Sequence, residues 1–289
     1  MLIIAVIFFS VVEAMDKCDR VQIDNSYYKR QLISIVDGTP SNIAVDSSTG
    51  NIYFILNKRN YTKGVFVIRH GALGAKKLHI YEDNTPQCIA IDDRNDKAYI
   101  GTNSGILTYD FATEMMSQRP IGDDDIRSIF IDKHTNNMYI TIGSNHEVYK
   151  FLNESAAVKQ FDKVPKAYNF VLDGRGNVFY EHVDGRIYFY NSDYFEAIQY
   201  KGFSKELKYI IRIDNEDKAM VTVKEYLFKL LSKCILPVKI ADLEFKITGL
   251  AFDSKNDIIV GTKGKIYRFK LIDQNEPCHA EDFYMANLK

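Results

Sequence analysis

The chain has 289 residues, of which 46% are hydrophobic and 26% charged, and its formal net charge is −1. This balance gives no electrostatic case for a nucleic-acid partner, since nucleic-acid binding needs a concentration of positive charge. The apolar content is enough for a large core, and about 275 residues remain after a short apolar N-terminal segment, a length that fits one barrel or propeller domain.

The first 14 residues, MLIIAVIFFSVVEA, are mostly apolar, and Val12 and Ala14 suit the −3 and −1 positions of a signal-peptidase site. No Lys or Arg stands near Met1, but the apolar run at 3–12 is too short to cross a bilayer, which needs ~20 residues. We therefore expect residues 1–14 to be a signal peptide and residues 15–289 to form one exported domain that is not held in a membrane.

A unit of three short strands recurs through the rest of the chain, most clearly at 128–151, SIFIDKHTNNMYITIGSNHEVYKF. Each unit opens with an apolar residue, any residue, an apolar residue and Asp. The six aspartates lie 39 to 46 residues apart and are Asp46, Asp92, Asp132, Asp173, Asp214 and Asp253. Period-2 apolar alternation between polar turns is typical of antiparallel strands. Six such repeats predict an all-β, six-bladed β-propeller.

The last repeat ends after its third strand, whereas the segment 28–36 before the first repeat reads as a strand with no blade of its own. We expect this segment to be the outer strand of the last blade, which would close the ring and remove an exposed sheet edge.

Four cysteines in an exported chain predict one or two disulfides. Closure of the ring would bring Cys18 and Cys278 together, and a bridge between them would lock it. Cys88 and Cys234 fall at opposite ends of nearly opposite blades, so a Cys18–Cys234 bridge and a free Cys88 remain open.

Asn60 and Asn153 begin glycosylation sequons in predicted loops.

No set of residues predicts catalysis or a metal site. The six repeated aspartates are expected to accept backbone N–H bonds in their own turns. The six histidines lack metal-binding spacing, and the acidic run 123–125 lacks the order of a calcium loop. There is also no G-x-S-x-G motif and no phosphate-binding glycine loop.

The first strand of each propeller blade is its inner strand and lines the central channel. The loops that lead into the inner strands, together with the loops that follow the second strands, form the best candidate ligand site. The ligand-binding candidates are Asn42, Gln87, Asn103, Arg127, Tyr168, Asn169, His182 and Tyr209. Tyrosines, amides and one arginine suit a planar molecule with polar edges. Tyr168 and Tyr209 would stack on its ring, and Arg127 would bind a carboxylate. The alternative is that these side chains only bind water in the channel.

KCDR at 17–20, YYKRQ at 27–31 and repeats such as NIAVDSSTGNIYF at 42–54 resemble the ommochrome-binding proteins of moth and butterfly haemolymph. The resemblance implies a secreted, non-catalytic carrier of ommochromes, which are tryptophan-derived pigments with fused aromatic rings and amino-acid side chains. We accordingly expect a monomer in the haemolymph that has the pigment as its ligand and no other cofactor.

Two other classes of function stay open. A gluconolactonase-like propeller enzyme needs a divalent metal held by acidic and amide groups. Asn42, Asn103 and Asn169 would serve as amide ligands, but no carboxylate occupies the first inner strand, which reads Asn-Ile-Ala at 42–44. The other class is a structural extracellular propeller that binds proteins on its rim and no small molecule.

Overall fold

A computed structural model of the protein describes residues 20–59, 62–80, 84–119, 121–152 and 157–272. Within these ranges the regular secondary structure consists of β-strands, with no helix. Two strands precede the repeats, β1 (Arg20–Ile23) and β2 (Ser26–Ile35). The predicted signal peptide (residues 1–14), Cys18, Cys278, Asn60 and Asn153 lie outside the described residues.

The first three repeats each form a four-stranded antiparallel sheet, or blade. Blade 1 consists of β3 (Thr39–Val45), β4 (Ile52–Asn57), β5 (Lys63–Ile68) and β6 (Lys76–Lys77). Blade 2 consists of β7 (Pro86–Asp92), β8 (Lys97–Thr102), β9 (Gly105–Asp110) and β10 (Met115–Met116). Blade 3 consists of β11 (Ile126–Ile131), β12 (Met138–Ile142), β13 (Glu147–Leu152) and β14 (Ala157–Gln160).

The last three repeats continue the pattern. Blade 4 consists of β15 (Asn169–Leu172), β16 (Val178–Glu181), β17 (Ile187–Asn191) and β18 (Glu196–Gln199). Blade 5 consists of β19 (Ile210–Ile213), β20 (Ala219–Val223), β21 (Tyr226–Leu230) and β22 (Val238–Asp242). Blade 6 takes β23 (Gly249–Phe252), β24 (Ile258–Thr262) and β25 (Lys265–Ile272) from its own repeat.

The ring is closed by the N-terminal segment, as predicted. Strand β2 pairs antiparallel with β25 from Tyr27–Ile272 to Ile35–Lys265, and β1 adds a fifth strand outside it, which the sequence did not predict. The inner strands β3 and β23 also contact each other. The six-bladed, closed β-propeller is therefore the fold of this chain.

The core lies between blades, because each sheet presents alternate side chains to the sheet on either side. Each of the six pairs of neighbouring blades shares a cluster of buried apolar residues. Val65 of blade 1 packs with Ile100 of blade 2, for example, and Phe179 of blade 4 packs with Val221 of blade 5. The ring as a whole therefore buries what one blade alone would expose to water.

The six repeated aspartates stabilise turns, as predicted. Each accepts a hydrogen bond of 2.8 to 3.2 Å from the backbone N–H two residues later, and the donors are Ser48, Arg94, His134, Arg175, Glu216 and Lys255. Burial alone would raise the pKa of Asp46, but hydrogen bonds from Ser48 and Thr49 outweigh this and lower it.

Cys88 and Cys234 are free thiols, the first buried in blade 2 and the second exposed in the turn between β21 and β22.

Among the described residues, no helix is long and apolar enough to span a membrane.

Candidate functional site

A central cavity of about 850 Å³ is lined by the inner strands of all six blades. This volume is within the range of small-molecule sites, about 300–1,000 Å³. We call the end at which the inner strands begin the mouth. Of the eight candidate ligand residues, Asn42, Arg127, Tyr168, Asn169 and Tyr209 line the cavity, whereas Gln87, Asn103 and His182 do not.

Three neighbouring inner strands are irregular at the mouth. The pairing of β7 with β8 shifts between Pro86 and Cys88, and that of β11 with β12 shifts between Ile126 and Ser128. Gln87 and Arg127 are therefore the extra residues of two β-bulges, which turn their side chains out of the regular alternation. Blade 1 has a similar shift at Asn42, whose φ is +46°.

Arg127 forms an ion pair with Asp125 at 2.5 Å. Asp125 also accepts a hydrogen bond from the Gln87 side-chain amide. The three side chains therefore join blades 2 and 3 at the mouth, and a ligand carboxylate would have to compete with Asp125 for Arg127. This makes Arg127 a weaker anion site than its sequence position predicted.

Tyr168 is 41% exposed and lies beside His146, with 4.5 Å between ring centroids in an edge-to-face arrangement. The His146 ring comes from the turn between β12 and β13 of blade 3, and Tyr168 directly precedes blade 4. Blades 3 and 4 together therefore present an aromatic pair at the mouth. Tyr168 thus lines the cavity with an exposed ring, and its stacking on a planar ligand stays a prediction.

Tyr209 lies at the same repeat position as Tyr168 but is only 5% exposed. Its ring packs edge-to-face on Phe203 at 5.3 Å, and its hydroxyl donates a hydrogen bond to the Ser204 carbonyl. A ring so covered offers little free face for stacking, so Tyr209 forms part of the cavity wall.

Asn169 connects the cavity to a buried carboxyl group. Its Nδ2 donates to Glu181, which is 6% exposed, while its Oδ1 accepts from the Ile211 N–H at 3.1 Å. Burial raises the pKa of Glu181 to about 7, against the lowering effects of the Asn169 hydrogen bond and the Lys208 charge. Glu181 is thus a proton-binding group next to the channel wall.

The remaining candidates have structural partners. Asn42 donates through Nδ2 to the Gln87 carbonyl at 2.9 Å, a link between blades 1 and 2. Asn103 accepts at Oδ1 from the Thr85 N–H at 2.6 Å and so fixes the loop that leads into β7. His182 lies 5.7 Å from Tyr188, ring centroid to ring centroid, away from the cavity lining.

The cavity is basic, which the sequence did not predict. Its charged lining consists of six basic side chains, Arg127, Lys133, Lys208, Arg212, Lys224 and Lys246, against two acidic ones, Asp93 and Glu206. Two of the six basic groups have carboxylate partners outside the lining, Arg127 with Asp125 and Lys133 with Asp217, so the excess positive charge comes from the other four.

The residues at the mouth do not fit the metal site of a lactonase-like propeller. Asn42, Asn103 and Asn169 each hold a protein group through the side-chain amide. Across the described ranges, no three His, Cys, Asp or Glu side chains are grouped so as to hold a metal ion. Protein sites for hard divalent cations usually include carboxylate oxygens beside carbonyl and water ligands, and the first inner strand supplies no carboxylate at Asn42.

No family model matches the chain, and neither does any curated protein sequence. Solved propellers match its structure. A structural-genomics target proposed to be a gluconolactonase has a TM-score of 0.66 at 7% identity, over 86% of this chain and 94% of that one. A streptogramin B lyase scores 0.61 at 10% identity, over 85% and 98%. Virginiamycin B lyase from Staphylococcus aureus scores 0.57 at 12% identity, over 85% and 100%. At these identities the similarity shows the fold alone.

Proposed function

We propose that this protein is a secreted, non-catalytic carrier of a planar aromatic molecule of the ommochrome type, bound in the central channel. The observation that carries the proposal is the channel itself, a cavity of about 850 Å³ with an aromatic pair at its mouth and a basic lining. Ommochromes combine fused aromatic rings with amino-acid side chains, so their rings suit Tyr168 and their carboxylates suit the basic groups.

The sequence resemblance to ommochrome-binding proteins supports the same proposal and motivates the choice of pigment. The resemblance and the predicted signal peptide, which precedes the domain, both support export. A lactonase-like enzyme is not favoured by the side chains at the mouth, whose amides bind protein groups and whose first inner strand carries Asn42 in place of a carboxylate.

The proposal is tested by an absorbance titration of a purified ommochrome with the protein and its Tyr168→Ala variant. We expect saturable binding near one pigment per chain, with a shifted pigment spectrum. Tyr168→Ala should weaken binding by about 1–3 kcal/mol, through loss of an aromatic contact and of buried apolar area.

Two controls accompany this titration. Tyr168→Phe keeps the ring and should keep most of the affinity. Tyr194→Ala removes a tyrosine that is 78% exposed in the turn between β17 and β18, outside the cavity lining, and should have no effect. Equal affinity in the wild type and Tyr168→Ala would contradict the proposed contact, and no binding by the wild type would contradict the carrier function. One tightly held divalent cation per chain, measured by elemental analysis, would instead favour the lactonase-like enzyme.

A further inference from the structure

One ring of residues halfway along the channel contains a single charge. Each inner strand contributes the residue two places before its repeated aspartate, and all six line the cavity: Ala44, Ala90, Phe130, Val171, Arg212 and Ala251. Blade 2 is opposite blade 5 in a six-membered ring, so a small Ala90 faces Arg212 across the channel. Ala44 and Ala251 are small as well, which leaves room in front of the guanidinium.

Arg212 has little compensation from the protein. Its Nη1 donates to the Ile211 carbonyl at 2.9 Å, a contact with its own strand. In the described part of the chain, no carboxylate lies within ion-pair distance of its guanidinium. The Cys88 thiol is the ionisable group that affects the pKa of Arg212 electrostatically, but burial raises the pKa of that thiol to about 12, so it carries no charge at neutral pH.

The guanidinium remains charged in this setting. Burial lowers its pKa from 12.5 to about 10, which still leaves it protonated at neutral pH. Arg212 is half-buried and lines the cavity, so its guanidinium meets the channel without a counter-ion from the described residues. A charge in this position is partly desolvated without gaining an ionic partner. Arginine also carries five N–H donors in a planar fork, and the hydrogen bond to Ile211 uses one of them. The other donors are available to an anion from outside.

The mouth above Arg212 would attract such an anion. Lys208, Lys224 and Lys246 line the cavity there and are exposed. Lys208 lies in the segment that leads into blade 5, Lys224 in the turn between β20 and β21, and Lys246 in the loop that leads into blade 6. Among the residues that the structure describes, Glu206 is the one acidic side chain that lines this side of the mouth. Convergent positive charge around a cleft raises the local concentration of anions and their rate of entry.

We propose that Arg212 is the anchor for a carboxylate of the channel's ligand, which makes that ligand an aromatic carboxylate that enters carboxylate first. This inference rests on the proposed function only in taking the channel as the ligand site. Tyr168 precedes Val171, the blade-4 member of the Arg212 ring, by three residues, so the two levels are roughly 10 Å apart along the strands. One molecule can therefore place its ring beside Tyr168 while its carboxylate reaches Arg212.

The test is isothermal titration with a matched pair of probes, quinoline-2-carboxylate and its neutral analogue quinoline-2-carboxamide. The wild type should bind the carboxylate at least about 10-fold more tightly than the amide, as expected when a charge-assisted hydrogen-bonded pair contributes about 1.5–3 kcal/mol. Arg212→Met should abolish this preference and leave the weak binding of the amide unchanged. Arg212→Lys keeps the charge without the planar fork and should retain part of the preference.

Lys255→Met is the matched control, since it removes one exposed positive charge from a turn outside the cavity lining. It should leave both affinities unchanged. Thermal unfolding of every variant checks the fold, and Arg212→Met should be about as stable as the wild type because Arg212 is half-buried and forms no ion pair with the described residues.

The outcomes separate this inference from the proposed function. A preference for the carboxylate that survives in Arg212→Met, or a wild type that binds neither probe at millimolar concentration, would overturn the role of Arg212. Binding of the carboxylate through Arg212 with no binding of an ommochrome would uphold Arg212 and contradict the pigment. Ommochrome binding that is equally tight in the wild type and Arg212→Met would uphold the carrier and overturn the anchor.

Discussion

Glu181 shows how one buried side chain couples the channel wall to pH. Its folded pKa of about 7 lies above the ordinary value of 4.5 because burial disfavours the carboxylate. The folded state therefore binds this proton more tightly than the unfolded state does. The resulting stability is fully present below about pH 4.5 and is lost as the pH rises through about 7. A difference of this size corresponds to at most about 3 kcal/mol.

Glu181→Gln should remove this pH dependence. Glutamine keeps an acceptor for the Asn169 amide but carries no charge, so the variant should be more stable than the wild type by about 1–3 kcal/mol at pH 8 and close to it at pH 5. Urea unfolding at the two pH values measures the difference. Glu206→Gln, an exposed carboxyl at the cavity, should show the same small difference at both. A pH-independent gap for Glu181→Gln would contradict the account.

Arg212 and Tyr209 mark what could and could not be predicted at the residue level. The signal for Arg212 was in the sequence, since its five repeat partners are Ala, Phe or Val, but it appears only when the second residue before each aspartate is aligned. The burial of Tyr209 was not predictable from its repeat position. It depends on Phe203 and Ser204, in a connecting segment that belongs to no strand of the repeat.

At the level of the strands, the bulges at the mouth are the least predictable feature. Gln87 and Arg127 leave the regular pairing through a one-residue shift between two strands, and the alternation of apolar residues reads almost the same with or without that shift. The pairing of Arg127 with Asp125 follows from this local geometry. Closure by β2 was predictable, because the last repeat lacked an outer strand and the N-terminal segment lacked a blade.

A chain beginning at residue 37 lacks β1 and β2 and leaves the edge of β25 unpaired. Eight residue pairs join β2 to β25, so we expect a loss of roughly 4 kcal/mol or more, taking about 0.5–1.5 kcal/mol for each hydrogen bond. Thermal unfolding should begin about 10 °C or more below that of the full chain.

A peptide of residues 20–36 added to this shortened chain should restore much of the lost stability by supplying the missing strand. A peptide of the same composition in reversed order is the control. If the shortened chain unfolds at the same temperature as the full chain, closure by β2 is not what stabilises the ring.

On the scale of the whole molecule, the two ends of the channel differ. At the end away from the mouth, side chains of the aspartate turns link one blade to the next. Ser47 donates to Asp93, Arg94 donates to the His134 carbonyl, and Lys133 donates to the Asp214 carbonyl two blades away. The mouth also has hydrogen bonds between blades, from Asn42 and to Asn169, but it adds the aromatic pair and the exposed lysines. The two ends therefore differ in the side chains they expose, and not in whether neighbouring blades are linked.

The six-fold repeat made this architecture predictable, because the spacing of the aspartates fixes the number of blades and the strand pattern fixes their order. The charge of the channel was not predictable in the same way. Arg212, Lys208 and Lys246 come from unrelated positions of the repeat and are brought together only when the ring closes.

The most direct test of the central claim, that the channel carries an aromatic pigment, is the absorption spectrum of the protein purified without denaturation from its natural source. We expect a visible band from a bound pigment, near one molecule per chain, that is released on unfolding. A colourless protein, with or without a tightly held cation, would contradict the claim.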